Sequence, residues 1–85
     1  MTSENCEVGM FVRRGRDWMS GSQDHFNGKK ATGIITLCDK VRFKLAKVYW
    51  AGGTKQVYRI GALGAFDLSI KGMNKNSISI FIFTE

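Results

Sequence analysis

No window of ten or more residues in this chain carries the apolar period of an amphipathic helix; in its place come short β-prone runs divided by glycine. That pattern restricts the chain to an all-β fold. Strands are expected over residues 10–13, 32–37, 46–50, 55–59 and 77–84, with a weaker one over 67–70. Five or six short strands suit a small barrel. In the pair 46–50 and 55–59, a side-chain period of two puts Val48 and Trp50 on one face and Lys47 and Tyr49 on the other. Their connector, Ala51-Gly52-Gly53-Thr54, holds a glycine pair able to supply the positive φ angles of a tight hairpin turn.

At 85 residues the chain can enclose one small core, and its 44% hydrophobic content is too high for a disordered tail. Thirteen Lys and Arg against seven Asp and Glu give a net charge of +6, which favours acidic partners such as nucleic acid, anionic lipid or an acidic peptide. The cations are scattered and form no run of five, so most are expected to be solvated surface groups. Cys6 and Cys38 have no metal-site spacing with each other or with His25, and no cofactor is expected. One disulfide between them is arithmetically open, but without a signal peptide or an N-x-S/T acceptor the two are expected to be reduced thiols of an intracellular, cytoplasmic protein. The longest apolar run, residues 78–83, is too short to span a bilayer.

Between the first two expected strands lie residues 14–31, with Gly15, Gly21 and Gly28 and no strand alternation. A connection this long in a compact domain is either an Ω-type loop packed by its own Trp18 and Phe26 or a loop that touches a ligand. Asp17, Asp24 and Asp67 stand beside turns, where they can accept backbone N–H bonds or pair with Arg14 and Arg59. Trp50 is expected in the core, its N–H then needing a partner, while Trp18 plugs the barrel end or stacks on a ligand. No acid/base pair, nucleophile and base, or metal set is present, so the domain is not expected to be an enzyme.

The stretch EVGMFVRRGRDWMSGSQD, followed by KVYWAGGTKQVYRIGALGAFDL, resembles the MIB/HERC domain of Mind bomb and HERC-type ubiquitin ligases over about residues 8–69. The matching positions include Gly9, Arg14, Gly15, Asp17, Trp18, Gly21, Gln23, Asp24, Trp50, Tyr58, Arg59, Gly61, Gly64, Asp67 and Leu68. Arg16 stands where the family usually has Pro, Ser20 where it has a second Trp, and His25 and Phe26 where it has Gly. Ala51-Gly52 replaces Asp-Asn, and Leu63 and Phe66 replace an acidic residue and Tyr. The resemblance implies a small SH3-like barrel over residues 8–70, with an N-terminal extension over 1–7 and a C-terminal one, carrying an added strand, over 71–85. It also implies a noncatalytic module that binds a protein or peptide, as the Mind bomb members bind tails of Notch ligands.

Arg14, Arg16, Trp18, Gln23, Asp24, Tyr58 and Arg59 are the ligand-binding candidates. A second reading is a basic barrel that binds single-stranded nucleic acid, with Trp18, Phe26 or Tyr58 as stacking platforms. The β-prone run 77–83 is expected either to close the barrel edge or to pair with a second copy in a homodimer.

Overall fold

The computed structural model describes residues 1–72; the strand expected over 77–84 lies outside them. Seven strands follow in chain order: β1 (Phe11–Arg14), β2 (His25–Phe26), β3 (Lys29–Lys30), β4 (Gly33–Asp39), β5 (Leu45–Trp50), β6 (Lys55–Arg59) and β7 (Leu68–Gly72). The five longer strands form one antiparallel sheet in the order β6-β5-β4-β1-β7, and β2 and β3 form a separate hairpin. Beyond β6 the chain turns through a short 3₁₀ segment, Ala62–Gly64. It then returns beside β6: Ile60 bridges Phe66, and the Asp67 N–H donates to the Arg59 carbonyl at 2.9 Å. The two edges of the sheet are thereby tied together, giving a small barrel-like, all-β fold.

Side-chain alternation decides which face becomes the core. Along β5, Ala46, Val48 and Trp50 are fully buried while Lys47 and Tyr49 are exposed, as their period of two requires. Val12, Ile35, Tyr58, Ile60 and Leu68 complete the same interior. Trp50 pairs with Gly33 across β4 and β5, and the missing side chain at Gly33 is what lets the indole lie flat in so small a barrel. Trp50 and Tyr58 each remove roughly 150–250 Å² from water, about 4–6 kcal/mol gross per ring before entropy is counted. In a domain this small two such rings make up much of the core.

The hairpin between β5 and β6 turns where its glycines place it, with Gly53 at φ 96° and its N–H donating to the Trp50 carbonyl at 2.8 Å. A second hairpin, β2-β3, stands in the long loop where no strand was expected. Its turn is Asn27-Gly28, with φ of 55° and 74°, the positive pair that a two-residue turn demands. Phe26 is half exposed there, so it does not form the expected small core of the loop.

The thiols correct another expectation: Cys6 and Cys38 are not free but joined in a disulfide, with Cα atoms 6.3 Å apart. Residues 1–7 fold back along the barrel, so fully buried Cys6 meets β4, a contact that the separation of 32 residues gave no reason to expect. Closing a loop of that length removes chain entropy worth roughly 3–4 kcal/mol. Adding a reductant, or making Cys38→Ser, is therefore expected to lower unfolding stability by about 2–4 kcal/mol in a denaturant titration. An unchanged midpoint would mean that the bridge is not formed in solution.

Candidate functional site

The motif residues of the loop and of the end of β6 converge on one end of the barrel. Trp18 lies stacked on Tyr58, ring centroids 5.1 Å apart at 21°, and meets Trp50 edge-on at 5.6 Å and 90°. Trp50 and Tyr58 are themselves perpendicular at 5.7 Å. The buried indole finds its partner within this group: Trp50 Nε1 donates to the Tyr58 hydroxyl at 2.7 Å, which in turn donates to Gln23 Oε1 at 2.8 Å. Burial pushes the Tyr58 phenol above its ordinary pKa, and the bond from Trp50 partly offsets this.

Above the aromatic stack, Arg14 grips Asp24 through two parallel bonds, Nε to Oδ2 at 2.8 Å and Nη2 to Oδ1 at 2.6 Å. The guanidinium also lies 5.2 Å over the Trp18 ring, and it shares the Gly21 carbonyl with Trp18 Nε1. Asp24 is fully buried, and the bond from Arg14 outweighs that burial to hold its carboxyl below the usual range. The same bond holds Arg14 above its ordinary value.

A second clamp closes the barrel. Arg59 donates Nε and Nη2 to the two oxygens of Asp67 at 2.9 and 2.7 Å, and its backbone N–H adds a third bond to Oδ2 at 2.9 Å. Its Nη2 reaches the Asp17 carbonyl at 3.1 Å and Met19 Sδ at 3.1 Å, so the loop is held against β6. Asp17 accepts the Phe66 N–H at 2.7 Å, which, with help from Arg16, lowers its pKa.

The seven candidates thus occupy one region, but they face it differently. Tyr58 and Asp24 spend their polar groups on Trp50, Gln23 and Arg14, Arg59 spends its own on Asp67, and exposed Gln23 gives its Oε1 to Tyr58. The Tyr58 ring, 2% exposed, offers no stacking face to a base. Arg16 is open to solvent, resting 5.2 Å from the Phe66 ring, and Trp18 is partly exposed. Beside them stands Met19, 75% exposed, which sequence reasoning passed over because an isolated methionine carries no motif. Among the described residues no cluster of His, Cys, Asp and Glu could hold a metal ion, and no helix is long and apolar enough to cross a membrane.

The Mib_herc2 family model matches residues 9–71, which contain both clamps and the aromatic stack. The chain is 39% identical over 71 residues to the E3 ubiquitin-protein ligase MIB2 of Gallus gallus, a match that covers 75% of this chain and 7% of the ligase. The chain therefore corresponds to a small part of a much longer relative. With a family model that matches most of its length and a relative 39% identical over three-quarters of it, the chain belongs to the MIB/HERC2 domain family.

Proposed function

We propose that this domain is a noncatalytic protein- or peptide-recognition module, the substrate-recruiting part of a ubiquitin ligase or a stand-alone relative, with its barrel of the SH3-like kind. Its kinship with a domain of an E3 ubiquitin-protein ligase is the observation that carries this reading. In it, Arg16, Trp18 and Met19 touch the ligand, while Arg14, Gln23, Asp24, Tyr58 and Arg59 hold the loop in place. A surface held by two bidentate clamps loses little freedom on binding, which favours affinity. Work beside a ligase would place the domain in the cytoplasm. The Cys6–Cys38 bridge runs against that compartment, where thiols are kept reduced, and non-reducing mass spectrometry of protein from cells decides its state there.

The test is a pull-down from cell extract at low and moderate salt, set beside an Arg16→Glu, Met19→Glu double variant whose changes fall on exposed side chains. A defined set of proteins is expected at both salt levels and is lost with the variant. Recovery chiefly of nucleic acid, vanishing as salt rises and indifferent to the variant, would favour the basic-barrel reading instead.

A further inference from the structure

On the outer face of the sheet, away from the aromatic stack, strand register builds a feature that no motif announces. Phe11 of β1 lies opposite Ile34 of β4, Ile34 opposite Tyr49 of β5, and Tyr49 opposite Lys55 of β6. These residues form one row across four adjacent strands, all on the face opposite Val12, Ile35 and Val48. On its other side Phe11 pairs with Gly72, which brings no side chain to the row, and among the described residues nothing lies within 4 Å of where its Cβ would be. The result is an open trough of about 700 Å³ walled by Phe11, Ile34, Tyr49 and Ala51. That volume lies within the roughly 300–1,000 Å³ typical of ligand sites.

The rim of this trough is cationic. Lys71 reaches from β7 across β1 to donate to Thr32 Oγ1 at 2.6 Å, forming one wall. Behind that strap a smaller cavity of about 330 Å³ is lined by Arg13, Lys30 and Lys71 together with Arg14 and Asp24. Among the described residues Asp24 is the sole carboxylate there, and Arg14 already occupies both of its oxygens. At the far end Lys55 sits 5.1 Å over the Tyr49 ring. Among the described residues none of Arg13, Lys30, Lys55 and Lys71 is in an ion pair. An apolar floor between unneutralised cations is complementary to one kind of chain: large apolar side chains next to carboxylates.

We propose that the outer-face trough is a second binding site, separate from the loop end, which takes an acidic, apolar peptide segment of a partner protein. One or two of its large apolar side chains lie on Phe11, Ile34 and Tyr49, and its carboxylates lie over Arg13, Lys30 and Lys71. Charge alone suits either polyanion; the aliphatic Ile34 and Ala51 beside the rings, and Lys55 already over the Tyr49 ring, favour this occupant over nucleic acid. Bases would stack on an open ring face but gain little from Ile34 and Ala51, which large apolar side chains cover better.

The test is selection of the intact chain against a display library of random twelve-residue peptides, followed by affinity measurement on synthetic copies of the enriched sequences. Enriched peptides are expected to combine Asp or Glu with Phe, Leu, Ile or Trp. Their affinity is expected to fall about tenfold or more with Tyr49→Thr, which keeps strand propensity, and with the exposed pair Arg13→Glu and Lys30→Glu. It should be indifferent to Met19→Glu. Peptides that ignore the trough variants and are lost with Met19→Glu would overturn this proposal while upholding recognition at the loop end. Competition by a twenty-nucleotide oligothymidine, or self-association that Tyr49→Thr abolishes, would assign the trough to nucleic acid or to a second copy and overturn it too. If no peptide is enriched, the trough proposal fails regardless of what the pull-down shows.

Discussion

Arg14→Ala is expected to lower the melting temperature at neutral pH by about 10 °C or more, although Arg14 is itself partly open to solvent. The loss arises at its partner. The Asp24 side chain is 1% exposed and both its oxygens point at the guanidinium, so without Arg14 a carboxylate stays buried beyond the reach of water. Asp24→Ala should cost less, because the 29% exposed Arg14 can turn toward solvent. The pH dependence follows from the direction of the Asp24 shift. In the parent its pKa is depressed, so the pair stabilises above the unfolded carboxylate value of about 3.9 and fades as pH falls through the folded value. In Arg14→Ala the largest remaining influence on Asp24 is desolvation, set against a smaller backbone bond and nearby His25, so the depression is relieved and the variant loses less than the parent as Asp24 protonates. The gap between the two melting temperatures should therefore be widest near neutrality and shrink below about pH 4. A gap of equal size at pH 3 and pH 7 would refute the account.

Gly33→Ala is expected to cost about 3 kcal/mol or more in a denaturant titration, for purely steric reasons. A Cβ at this position would run into Val48 Cγ1 and come within 2.6 Å of Trp50 Cε3, and both side chains are fully enclosed. Neither can move without opening the core. Gly28→Ala is the control, since nothing lies within 4 Å of that position and the change acts only through its positive φ. Its cost should be about 1–2 kcal/mol. A larger loss at Gly28 than at Gly33 would show that backbone conformation, not the seat of the indole, governs this barrel.

Most of the sheet could be read from alternation and glycine. The strand expected over 55–59 is β6 itself, and β4 runs two residues past its expected end at residue 37. The β2-β3 hairpin was not expected: Asn27-Gly28 carries a turn signal, but two-residue strands are too short to show any period. The disulfide was not legible, because only the folding back of residues 1–7 brings Cys6 to β4.

At the loop end, the motif singled out the residues that meet but not the direction in which they face. A buried Tyr58 bonded to Trp50 and Gln23 and an exposed tyrosine poised for a ligand have the same sequence signature. The trough was invisible for a different reason. Phe11, Ile34 and Tyr49 belong to three strands and become neighbours only through register.

The stack of Trp18 and Tyr58 beside Trp50 makes the domain its own optical gauge. Both tryptophans of the chain belong to this one cluster, one indole against a phenol face and the other bonded to the same phenol oxygen. Unfolding carries buried Trp50 and partly buried Trp18 into water together, so intrinsic emission should shift to the red in one step with the loss of structure. A ligand at the loop end would alter that light directly by covering Trp18, whereas a peptide on the outer face should leave it almost unchanged.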